Sequence, residues 1–117
     1  MKAQPTWPII IKHDEIHDVA YIATYDDWLR DKSLSCFPYD EHDLMIDSEG
    51  SVFRLEYDTN NKLVSFIPAN ERLPMEEFTS ILRKHLCTMN ECCISKISVA
   101  SYADGFEMIR QSLADNP

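Results

Sequence analysis

The chain has 117 residues, 44% of them hydrophobic, and a net charge of −9 from 20 acidic against 11 basic side chains. A chain of this size and composition is expected to form one domain, residues 1–117, with a core that needs no staples. The charge disfavours nucleic acid and anionic membranes as partners, no apolar run approaches the ~18 residues of a membrane span, and the isolated glycines Gly50 and Gly105 rule out glycine-rich phosphate loops.

In chain order, residues 1–6 are expected to be a loose tail. Ile9 to Lys12 and Val19 to Ala23 are β-branched or apolar runs that predict two strands, joined by the polar loop His13 to Asp18. Thr24 with Asp27 forms a capping box in its Asp form and predicts a short helix from Tyr25 to about Asp31, with Tyr25, Trp28 and Leu29 on one face. Residues 33–43 are irregular around Pro38. From Leu44 to Pro68, runs of β-prone residues alternate with the turns S-E-G-S and D-T-N-N, the pattern of an antiparallel meander. Gly50 falls where such a turn needs positive φ. In the middle strand the alternation sets Phe53, Leu55 and Tyr57 on the expected core face, opposite Val52, Arg54 and Glu56.

Pro74 suits the first turn of a helix, and Met75, Phe78, Ile81, Leu82, Leu86 and Met89 recur at helical spacing, with Asn90 able to end the helix. Ile94 to Val99 predicts a further strand. Ser101 with Asp104 is a second capping box, and Tyr102, Phe106, Ile109 and Leu113 mark the stripe of a C-terminal helix. Gly105 weakens that helix by about 1 kcal/mol relative to Ala, which points to a close approach there. The expected fold is α+β: an antiparallel sheet of about five or six strands, two main helices over 74–89 and 101–114 packed on one face, and one short helix.

Three groups of residues could carry chemistry. The first is H-D-E-I-H, with His13 and His17 at i, i+4 and Asp14 beside them. It resembles the zincin pattern, but that pattern needs a helix, and here the segment lies between strands. The second is an acidic run of Asp40, Glu41, Asp43, Asp47 and Glu49, next to Tyr39, with no Lys or Arg from 33 to 53. Its plainest role is a solvated edge that deters sheet-to-sheet pairing, and its functional role would be docking of a basic partner. The spacing does not fit a calcium loop. The third is thiol chemistry at Cys36, Cys87, Cys92 and Cys93, where the spacing fits no standard zinc pair and buried inert cysteine is the default. The start of the chain lacks an apolar leader and a cleavage site, so a cytoplasmic location with reduced thiols is expected.

The segments Trp7-Pro8-x-Ile10-Ile11-Lys12-His13 and Tyr39-Asp40-Glu41-x-Asp43-x-x-Ile46-Asp47-Ser48-x-Gly50, with the Cys92-Cys93 pair, resemble the family called domain of unknown function 4144, found in marine gammaproteobacteria. The resemblance covers nearly the whole chain. It implies a bacterial stand-alone domain and brings no catalytic residue with it.

The functional expectation is a non-catalytic module that docks a basic protein through Tyr39, Asp40, Glu41, Asp43, Asp47 and Glu49, in the manner of small acidic immunity proteins, with no cofactor. The alternatives are a metal-dependent module using His13, Asp14 and His17, and a homodimer whose function lies in the assembly. Convergence separates the first two, because a catalytic site gathers its groups in a pocket whereas an interface spreads them over a surface.

Overall fold

The computed structural model describes residues 4–13, 19–35, 39, 42–60, 62–88 and 99–114. Five strands, β1 (Ile9–Lys12), β2 (Ala20–Ile22), β3 (Leu44–Asp47), β4 (Ser51–Asp58) and β5 (Leu63–Arg72), form one antiparallel sheet in the order β2-β1-β3-β4-β5. The short helices α1 (Tyr25–Arg30) and α2 (Lys32–Ser35) follow β2, and the long helices α3 (Met75–Thr88) and α4 (Tyr102–Ala114) follow the sheet. Among the described residues no helix is long and apolar enough to cross a membrane. The strand expected over 94–99 falls, apart from Val99, outside the described residues, as do Met89 and Asn90; Val99 itself is not in a strand.

Local chemistry accounts for most of the boundaries. The Thr24 hydroxyl accepts the Asp27 N–H at 3.1 Å, and the Ser101 hydroxyl accepts that of Asp104 at 3.2 Å, so both capping residues hold the first turns of α1 and α4. Pro74 stands just ahead of α3, and its carbonyl takes the Phe78 N–H at 2.9 Å. Gly50 has φ of +84° in the β3–β4 turn, as that turn requires. The Tyr102 ring also lies where a Gly50 side chain would project. The Tyr102 hydroxyl donates to the Leu73 carbonyl, and Leu73 N–H bonds the Gly50 carbonyl at 2.8 Å, so three distant parts of the chain meet there. Gly105 marks the close approach of α4 to α3: a Cβ at that position would overlap the Phe78 ring.

Both faces of the sheet are covered. Ile10, Ile46 and Val52 are register neighbours and pack under α3 and α4 with Phe78, Ile81, Leu82, Leu86, Phe106 and Ile109. Ile9, Ile11, Met45, Phe53 and Leu55 face the other way and pack with Ile22, Trp28 and Tyr39. The expected assignment of β4 is therefore corrected: Val52 is the residue that faces the long helices, and Phe53 and Leu55 meet α1. A strand with a covered layer on each side buries both alternating sets, and only Arg54 and Glu56, farther along, are exposed. The shared face of α1 is also corrected. Trp28 is 2% exposed, while Tyr25 and Leu29 are 50% and 39% exposed. A helix of six residues can seat one large side chain on the sheet and leave its flanks to solvent.

Candidate functional site

The residues singled out in the acidic run separate into different environments. Asp47 ends β3 fully buried, and its carboxylate accepts N–H groups from Thr6 at 2.9 Å, Glu49 at 3.0 Å and Ser51 at 2.9 Å. It is the organising acceptor of the β3–β4 turn, which removes it from any docking surface. The same bonds hold Thr6, at the end of the expected loose tail, in place, while residues 1–3 lie outside the described residues. Thr6 also accepts through its carbonyl from Ser48 N–H at 3.1 Å and from the Ser48 hydroxyl at 3.0 Å, and Pro5 is buried. Glu49 remains exposed and takes the Thr6 hydroxyl at 3.0 Å.

Asp43 and Tyr39 are buried as well, and they meet His13 from the first motif. His13 Nδ1 lies 3.4 Å from Asp43 Oδ1, and its ring stacks on Tyr39 with centroids 5.6 Å apart. Tyr39 stacks in turn on Trp28 at 6.4 Å. Burial, then the charges of Asp43 and Asp31, push the Tyr39 phenol well above its usual range. The structure thus joins one predicted metal ligand to two predicted docking residues, in a packed cluster at the end of β1 and β3. His17, Asp14, Asp40 and Glu41 lie outside the described residues, as do Cys36, Cys92, Cys93 and the Cys87 side chain. Among the described residues no group of three or more His, Cys, Asp or Glu side chains could hold a metal ion.

His85, whose spacing from Cys87 on a helix gives no facing pair, is a buried polar residue of the core. It is fully buried on the inner face of α3. Its Nδ1 accepts the Val19 N–H at 3.0 Å, and Nε2 lies 3.3 Å from the Ser112 hydroxyl. Ser112 donates its own hydrogen to the Ile109 carbonyl at 2.7 Å. An amide can only donate, so Nδ1 carries no proton, and Nε2–H is the donor to Ser112. His85 therefore links the residue just ahead of β2 to α3 and α4 through both ring nitrogens. Its position i+4 from Ile81 and i+3 from Leu82 was the available signal, because that places it on the buried stripe.

One of the grooves open to solvent is aromatic. A groove of about 420 Å³ is lined by Pro5, Trp7, Tyr25, Val64, Ser65 and Phe66, together with Gln4. Trp7 packs on Tyr25 at 5.9 Å and on Phe66 at 6.2 Å, and Trp28 meets Phe66 edge-on at 5.2 Å beneath. Among the described residues no Lys or Arg lines it. Exposed carboxylates lie next to lining residues in sequence: Asp26 and Asp27 follow Tyr25 on α1, where Asp27 is 3.8 Å from the Arg30 guanidinium, and Glu49 accepts the hydroxyl of Thr6, the neighbour of Trp7. Asp47 supports this arrangement indirectly, because it fixes the segment that carries Trp7.

The profile of the family domain of unknown function 4144, described as a protein structure with unknown function, matches residues 7–109. The chain belongs to this family. A solved structure described as the NMR structure of the protein from Shewanella amazonensis is similar to this domain of unknown function 4144 chain at 25% identity, with a TM-score of 0.68, over 94% of this chain and 91% of that one. The α+β architecture is thereby common to both. No curated protein matches this family member.

Proposed function

We propose that this chain is a small acidic protein-binding module, without catalysis, that docks a basic partner. The observation that carries the reading is the aromatic groove at Trp7, Tyr25 and Phe66, which no Lys or Arg lines among the described residues, in a chain of net charge −9 whose exposed Asp26 directly follows Tyr25. A guanidinium or ammonium over a Tyr or Trp face gains roughly 0.5–2 kcal/mol, and nearby carboxylates steer the approach. Aromatic side chains already held by packing lose little freedom on binding, which suits them as anchors. The docking surface proposed is not the 40–49 edge as a whole. Asp43 and Asp47 are turned inward, and the exposed Glu49 is tied to Thr6, the residue before Trp7.

The test is titration of the native chain with two synthetic hexapeptides, one alternating Lys with Val and one alternating Glu with Val, followed by amide and indole NMR shifts. Shifts at Trp7, Tyr25 and Phe66 with the basic peptide, weakened by salt, support docking. Equal shifts with the acidic peptide, or none with either, reject it.

A further inference from the structure

The groove has a second component, the free edge of β5. Among the described residues β5 pairs with β4 alone. Antiparallel pairs alternate between residues that exchange two hydrogen bonds and residues that exchange none. Phe53 stands opposite Pro68, and proline has no N–H, so that pair cannot be a doubly bonded one. The register then runs without a break from Pro68 to Leu63. The bonded pairs are therefore Ile67 with Arg54, Ser65 with Glu56, and Leu63 with Asp58. It follows that Val64 and Phe66 turn their N–H and C=O groups away from β4. These residues also send their side chains into the groove, and Ser65, whose side chain alternates to the opposite face, lines it through the strand edge.

We infer that the partner enters as an extended strand added to the edge of β5, bonded to the main chain of Val64 and Phe66. This rests on the reading that a basic partner occupies the groove, and it states how. An added strand places alternate side chains on the two faces of the sheet. Those on the Trp7 face lie over the aromatic groove, where basic residues fit. Those on the other face lie beside Leu63 and Ile67, which are 50% and 39% exposed, where apolar residues fit. The ligand is thus a segment of alternating basic and apolar residues. Its length is set by β5, because Pro68 offers no donor and Asn70 is left-handed at φ of +59°.

The test is amide hydrogen exchange on the full chain, with and without the alternating Lys–Val hexapeptide at saturation. Exchange at Val64 and Phe66 should slow at least about tenfold, while Ser65 and Ile67, already bonded to β4, stay unchanged. Val64→Pro should leave the urea midpoint close to the parent's, because the lost N–H faces outward, yet abolish peptide binding, whereas Val64→Ala should retain it. Peptide binding with unchanged exchange at Val64 and Phe66 overturns strand addition and leaves the docking reading standing. Failure of the peptide to bind at all overturns both. Protection of these amides in the free chain, with sedimentation as a dimer, makes a second copy the occupant and overturns the peptide proposal.

Discussion

The two faces of the sheet are built to different specifications. Under α3 and α4 the layer is mainly aliphatic and backed by two long helices, and the buried imidazole of His85 is bonded to Val19 and Ser112. Under α1 the layer is aromatic and thin, with Trp28 seated on Phe53, Leu55 and Phe66 and with Trp7 and Tyr25 left at the rim. A thick aliphatic layer supplies burial, while a thin aromatic layer supplies flat surfaces that solvent, or a partner, can reach. The comparison teaches that a sheet covered on both sides can bury most of its area under one layer and keep aromatic surface accessible on the other.

The largest expected effect tests the face under α3 and α4. Phe78→Ala removes the ring that packs against Gly105, Tyr102 and Phe106, and should lower the unfolding free energy by about 3–5 kcal/mol in urea. Trp28→Ala should cost less, about 3 kcal/mol, because the thin layer above it can collapse. A larger loss for Trp28 would reverse the ranking of the faces.

Next comes the clamp beneath the groove. Asp47→Ala leaves the N–H groups of Thr6, Glu49 and Ser51 without their acceptor and should cost about 1–3 kcal/mol. Faster amide exchange at those three residues, with loss of the Trp7–Phe66 contact in NMR, is the expected result. Unchanged exchange would show that the segment is held by other means.

Both faces carry a tyrosine whose pKa is raised by burial, Tyr21 toward α3 and α4 and Tyr39 on the aromatic face, and the Tyr39 contribution can be read separately. The Tyr39 pKa is raised above its ordinary 10.0 in the folded chain, first by burial and then by Asp43 and Asp31. The unfolded chain therefore releases this proton first. Stability tied to Tyr39 is intact below pH 10.0 and is lost as pH climbs through and beyond that value. Urea midpoints from about pH 8 to about pH 11 should fall more steeply for the parent than for Tyr39→Phe. Equal slopes would assign the alkaline loss elsewhere.

The smallest effect on stability belongs to the rim. Tyr25→Ala, at a half-exposed position, should change stability by no more than about 0.5 kcal/mol. The same change should weaken the basic peptide about tenfold in a fluorescence titration. A variant that loses stability but keeps binding would identify Tyr25 as a packing residue.

Much of this architecture was legible in the residues. Thr24 and Ser101 mark helix starts because their hydroxyls can bond a main-chain N–H three residues on, and Gly50 marks a turn because it tolerates positive φ. Such signals are local. The pairing of Val52 with the long helices was not legible, since alternation tells which residues share a face and not which layer covers it. The fates of Asp43 and Asp47 were hidden for a related reason. A carboxylate looks the same in sequence whether it meets solvent or accepts three amides from residues as distant as Thr6. His85 was legible through its place on the helical stripe, but its partners come from Val19 and Ser112, which only folding brings together.

The proline in β5 has a consequence for solubility. A ten-residue edge strand with exposed Leu63 and Ile67 would ordinarily be a template on which copies of the chain could stack into fibrils. Pro68 withholds a donor in the middle of that edge, and Asn70 turns the backbone out of the pleat two residues later. The open stretch is thus too short to hold the six or seven residues that a cross-β stack needs. The same interruption that limits what can bind here keeps the strand from propagating itself.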